Sequence, residues 1–172
     1  HDAMPMNALE SDPMVRVAYE SLVRELGQQM RAMNLEISFM PRQVDANGKY
    51  VVDADGDPIF LDPYGAVSAN VFADMKHNQH LYVYPTTPTS FGGDKESFKN
   101  HPLLEVSPFK TADDEPMLWN DVLRAVHDAV AHGLYGASFG KDGEEMAFVA
   151  HALITKDPLA IMALSMETRM QN

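Results

Sequence analysis

His127-Asp128-Ala129-Val130-Ala131-His132, a glycine-rich break from Gly133 to Gly143, then Glu144-Glu145 and a lone His151: the reading of the chain turns on this stretch. It holds three of the seven histidines. The pattern around it predicts helices over about 117–134, 143–155 and 157–170, with Pro158 tolerated near the start of the last. The join is short enough to fold the first two back on each other as a hairpin.

Helical geometry sorts the polar residues. Positions four apart lie about 40° apart around the axis, so Asp128 and His132 project from one face. Asp121 and Tyr135 lie near that face. Glu144 and His151, seven apart, are nearly aligned on the next helix. A hairpin sets the two pairs face to face. The expected ligand set is therefore Asp128, His132, Glu144 and His151, with two nitrogen and two oxygen donors. Such a set suits a divalent Zn, Mn or Fe ion with a position open to water or substrate. His127 and Glu145 each sit about 100° from their neighbours. They are expected as flanking groups, either one serving as a base, with His127 a ligand only if the ion sits between faces and otherwise a supporting or core histidine. The competing reading makes these residues the polar faces of two amphipathic helices.

Upstream, Ser11-Asp12-Pro13 is a helix start, and Val15, Tyr19, Leu22, Leu26, Met30 and Met33 form an apolar stripe. A helix is expected over 13–34, after a loose arm over 1–10. Leu35 to Met40 alternates as a strand does. Asp45-Ala46-Asn47-Gly48 and Asp53-Ala54-Asp55-Gly56 are turn signals and predict hairpins with Tyr50-Val51-Val52 and Pro58 to Leu61. A short helix over 66–76, a strand over 80–84 and a long loop over 86–116, anchored by Leu103-Leu104, follow. Trp119 is expected to seed the core at the start of the helical third. The expected fold is α+β in one domain, residues 1–172. A small antiparallel sheet in the first half packs with the N-terminal helix and a C-terminal three-helix cluster that carries the site.

Composition narrows the function. The 172 residues carry a formal net charge of -12, which repels phosphate backbones and argues against nonspecific nucleic-acid binding. With no cysteine, disulfides, iron–sulfur clusters and thiolate zinc sites are excluded, and any metal must take N and O ligands. No apolar run is long enough to span a bilayer, and no signal peptide is expected in the first ten residues. The leading His1 and the abrupt end suit a module of a longer chain.

Other motifs are weaker. Gly136-Ala137-Ser138-Phe139-Gly140 matches Gly-x-Ser-x-Gly, but a helix precedes it where a nucleophile elbow needs a strand, so it reads as an interhelical turn. Asp53 to Asp57 lacks the spacing and final Glu of a calcium loop. Ser90-Phe91-Gly92-Gly93 is no phosphate loop. His77 and His80 read as solvent or capping histidines near a helix end. Glu167 and Arg169 are expected to reach site members, with Arg169 orienting a ligand carboxylate or holding an anion.

Asn120-Asp121-Val122-Leu123-Arg124-Ala125-Val126-His127-Asp128, His132, Ser138-Phe139-Gly140, Gly143-Glu144-Glu145, His151 and Glu167-Thr168-Arg169 with Gln171-Asn172 together form one pattern. It resembles a domain of the large polyvalent proteins of bacteriophages and conjugative elements, also found in virion-associated phage proteins. Asp62-Pro63-Tyr64 and the strand at Leu81 to Pro85 extend the resemblance over most of the chain. Met170 stands where the pattern has Gly, and Phe148 where it has Trp. Neither is an expected ligand. The resemblance implies a phage protein placed in the virion or the host cytoplasm, with other phage or host proteins as partners. It does not imply a particular reaction.

Three functions fit these residues. The first is a metal-dependent hydrolase. The second is a non-enzymatic virion or host-interaction module whose polar cluster is structural. The third is an HD-type phosphohydrolase built on His127-Asp128, drawing on His77, His80 or His101 and on Asp142 or Asp157.

Overall fold

The computed structural model describes residues 12–54, 56–87 and 100–169. The expected arm over 1–10 and the Ser90–Gly93 motif lie outside the described residues. Helix α1 spans Pro13–Met33. The Asp12 side chain caps it by accepting from the Met14 amide at 2.9 Å, and Asn34 ends it in the left-handed conformation. The apolar stripe points inward: Leu22 and Leu26 are fully buried, and truncating either to Ala costs about 3 kcal/mol. α1 lies between the last helix and the helix that carries the histidines.

Strand β1 (Glu36–Phe39) pairs with β2 (His80–Val83), reached through helix α2 (Ser68–Asn78). The pair is parallel, with Ser38 opposite Tyr82. This corrects the expected antiparallel sheet of the first half: a connection that carries a helix brings the chain back in the same direction. In the first half, among the described residues, antiparallel pairing takes the form of isolated bridges, Arg42 with Phe60, Val44 with Tyr50 and Val52 with Pro58. The two expected turns shape these bridges. Asp45 Oδ1 accepts from the Asn47 and Lys49 amides, and Asp53 Oδ1 from the Asp57 amide.

The stretch expected as a loop over 86–116 contains more structure than its proline and glycine content suggested. A 3₁₀ turn covers Pro102–Leu104, and β3 (Val106–Lys110) pairs antiparallel with β4 (Pro116–Leu118). Leu103 is fully buried and anchors this segment, as expected. Residues 88–99 lie outside the described residues.

The helical third is divided. Helix α3 spans Trp119–His127, and a π-helical segment continues it over Asp128–Leu134. Helices α4 (Lys141–Ile154) and α5 (Pro158–Arg169) follow. Trp119 packs edge-on against Phe109 at 6.0 Å and against Gly27 of α1, in keeping with its expected role at the core. One buried cluster draws residues from α1, β1, β2, α3, α4 and α5, and the fold is α+β.

Candidate metal centre

The first half of the motif at the start of α3 fixes the backbone. Asp121 Oδ2 accepts from the Leu118 amide at 2.8 Å, closing the helix start. Its Oδ1 accepts from the Thr86 amide and hydroxyl at 2.7 and 2.6 Å. Asn120 donates to the same Thr86 hydroxyl, and Arg124 donates to the carbonyls of Tyr84 and Pro85. Asn120, Asp121 and Arg124 thus pin the chain leaving β2. Asp121 is committed there, and Tyr135 is exposed.

The second half carries the histidine cluster. After His127 the hydrogen bonds lengthen in sequence: the Tyr135 amide donates to Val130 and the Ala137 amide to Ala131, each at 3.0 Å. In an α-helix, residues five apart diverge by about 140°. The wider turn brings them together, and the His127 and His132 rings lie 5.3 Å apart. The structure therefore places His127 inside the cluster. His127, Asp128 and His132 each offer a ligand atom, and these atoms all lie within 4.8 Å of one another. This group can hold a metal ion. Ligands of one ion, each about 2.1 Å from it, are at most about 4.2 Å apart, so small side-chain rotations close the set.

Glu144 reaches the group from α4. Its Oε2 lies 3.3 Å from His127 Nε2 and its Oε1 3.5 Å from His132 Nε2. Gly143 permits this approach, since a Cβ there would stand 1.9 Å from the Ser138 carbonyl oxygen. Gly133 instead lets the π-helical segment lie against α2, where a Cβ would stand 2.4 Å from Met75 Sδ.

His132 is buried and oriented. Its Nδ1 bonds to the Ala137 carbonyl at 2.8 Å, and its ring stacks on Phe139 at 4.0 Å. The Ala137 carbonyl also accepts from the Ser68 hydroxyl of α2. A carbonyl only accepts, so His132 Nδ1 carries a proton, and Nε2 is the nitrogen turned toward Glu144. His127 Nδ1 is buried with no hydrogen-bond partner, a nitrogen suited to a ligand.

Charges balance unevenly here. Burial pushes the Asp128 carboxyl above the usual range, against the pull of His127, His132 and Arg124, while Glu144 adds to the rise. The hydrogen bond from His127 holds the Glu144 carboxyl low despite burial, helped by the charges of His127 and His132.

His151 is placed differently from the other expected ligands. Its Nε2 meets Gln29 Oε1 of α1 at 3.2 Å, while Gln29 donates to Thr155 Oγ1. The ring stands 6.1 Å from His127, and Nδ1 has no partner. Burial, with the charge of His127, drives its pKa down to about 3. His151 is a neutral imidazole at the back of the cluster. Glu145 is exposed on α4. Arg169 closes α5, and its side chain lies outside the described residues.

Glu167 does not turn toward the histidines. It accepts from the Tyr19 hydroxyl of α1 and lies 3.9 Å from His101 Nε2. Gln29, Phe139 and the Ala137 carbonyl had no signal at helical spacing. They reach the cluster from another helix or from the interhelical turn.

Comparison with family models, curated proteins and solved structures returns no match.

Proposed function

We propose that this protein is a metal-dependent hydrolase of phage origin, working in the virion or the infected cell. The observation that carries the reading is the orientation of His132. Its Nδ1 is tied to a backbone carbonyl, so Nε2 is presented to a group that includes His127, Asp128 and Glu144. Metal-ligating histidines are commonly held this way. A Zn, Mn or Fe ion there supplies Lewis acidity that makes water a nucleophile near neutral pH. His127, Asp128 and His132 would hold it. Glu144, kept ionised, is placed to accept a proton from water. His151 closes the back of the site as a neutral wall. The phage origin rests on the motif running from Asn120 to Asn172, and the acidic charge suits substrates other than a nucleic-acid backbone.

The test is hydrolysis of a panel of phosphodiester, ester and amide substrates by chelator-stripped protein, before and after adding back Zn, Mn or Fe. Activity restored by one ion and lost in Glu144→Gln supports the reading. Activity indifferent to chelator and metal contradicts it.

A second reading is a non-enzymatic phage module with a structural polar cluster, possessing virion or host proteins as partners. The burial of His132 and His151 favours it. The HD-type alternative gains no support: His80 bonds Asp74 and Ser38, His101 lies by Glu167, and Asp157 is bonded to Ser21.

A further inference from the structure

A second constellation lies across the parallel strands, away from the histidine cluster. Asp74 Oδ2 lies 2.8 Å from His80 Nδ1, and His80 Nε2 lies 3.0 Å from Ser38 Oγ. His80 opens β2, as the strand expected over 80–84 implied, but it is not a solvent or capping histidine, because it bridges two elements. Parallel pairing makes the bridge. His80 pairs with Glu36, and Ser38 lies two residues further along β1, on the same face.

The proton positions follow from the partners. Asp74 Oδ2 also accepts from the Tyr64 hydroxyl at 2.7 Å, and Oδ1 accepts from Asn78 Nδ2 at 2.7 Å. Burial works against ionisation, but these bonds, with that from His80, outweigh it and hold the carboxyl below its usual range. An ionised carboxylate only accepts, so His80 donates from Nδ1 and its Nε2 accepts from Ser38. The Tyr64 hydroxyl accepts in turn from the Tyr82 amide at 2.7 Å, which locks the carboxylate to the sheet. The His80 and Asp74 side chains are each 14% exposed, and Ser38 is the member of the three that lines a cavity.

Ser38 also lines a cleft of about 840 Å³, within the size range of ligand sites. Phe39, Tyr50, Phe60 and Tyr82 give it aromatic walls, Arg42 adds a cation, and Asp113, Glu115 and Asp121 add carboxylates.

We propose that Ser38, His80 and Asp74 form a second, metal-independent catalytic site that hydrolyses carboxylic esters with an apolar or aromatic acyl group. Ser38 Oγ attacks the carbonyl carbon and passes its proton to His80 Nε2. The carbon–oxygen bond to the alcohol then breaks, and the departing oxygen takes that proton. Water attacks the resulting acyl-serine, gives a proton to His80, and releases the acid as that proton returns to Ser38. Asp74 fixes the imidazole and stabilises its cation. Such a constellation is recognised by geometry and roles, not by sequence order.

The test uses a fluorophosphonate probe on the full chain, with intact-mass and peptide analysis, alongside p-nitrophenyl butyrate hydrolysis in excess chelator. One equivalent of label on the Ser38 peptide is expected. Label and hydrolysis should vanish in Ser38→Ala, fall at least about 100-fold in Asp74→Asn, and be unaffected by chelator. A folded wild-type chain that leaves Ser38 unlabelled overturns the proposal, whatever the variants do. So does label that persists in His80→Gln. Because the chelator silences only the metal centre, failure of one site is read apart from failure of the other.

Discussion

His132 donates from Nδ1 to the carbonyl of Ala137, five residues ahead, at 2.8 Å. The bond fixes the tautomer, and with it the direction of the second nitrogen. Replacing His132 by Ala removes a proposed ligand and leaves a buried carbonyl with one partner fewer. We expect metal affinity to fall more than about 100-fold, beyond the usual loss for outer-shell changes. The expected stability cost is about 1–3 kcal/mol. Calorimetric metal titration and urea unfolding of the variant check both. A variant that unfolds outright would instead favour the structural reading.

Gly143 should tolerate no side chain. Its Cβ would overlap the Ser138 carbonyl oxygen, which is backbone and cannot swing aside. Gly143→Ala is expected to cost about 2–3 kcal/mol, the scale of overpacking. It should also displace Glu144 from the histidines. Urea midpoints give the first effect, and the metal titration gives the second.

Asp121 offers a contrast within the same motif. It holds Thr86 and Leu118 and takes no part in the histidine group. Asp121→Ala should cost about 2 kcal/mol, because buried donors lose their acceptor, yet leave the metal stoichiometry unchanged. Loss of metal in a folded Asp121→Ala chain would show that the two halves of the motif are not separable.

Acid should destabilise the fold early. Burial holds His101 at about 4 and His151 at about 3, both below the ordinary value of about 6.5. The Leu103 amide donates to His101 Nδ1 at 3.1 Å, a bond that needs the neutral ring. Below pH 6.5 the unfolded chain takes up protons that the folded chain refuses. This stabilisation is present above about pH 6.5 and is lost as the pH falls through the window toward 4 and 3. The expected loss is about 2–3 kcal/mol between pH 7 and pH 5.5. Urea unfolding at the two values measures it, and replacing both histidines by Gln should flatten the difference.

Much of this architecture was legible because local chemistry decides it. Asp12, Pro13 and the stripe from Val15 to Met33 define α1 from neighbouring residues alone. The turns at Asp45 and Asp53 were legible for the same reason. The direction of β2 was not, since it depends on how α2 carries the chain back. His127 looked peripheral because an α-helical period was assumed, whereas the chain widens to a π-helix at Asp128. Gln29 meets His151 from 122 residues away, and Ser38, Asp74 and His80 come from three elements. Such meetings are products of packing and leave no spacing to read. Within the expected ligand set, spacing alone brought Asp128 and His132 together, and the hairpin join brought Glu144 to them.

The central proposal is that His127, Asp128 and His132, beside Glu144, hold one divalent ion. The most direct measurement is elemental analysis of the purified chain combined with titration of Zn, Mn and Fe into chelator-stripped protein. About one equivalent bound by the wild type, and none by a folded His127→Ala/His132→Ala chain, is the expected result. A wild-type chain that stays folded and binds none of the three ions, or binds them equally without these histidines, would contradict the account.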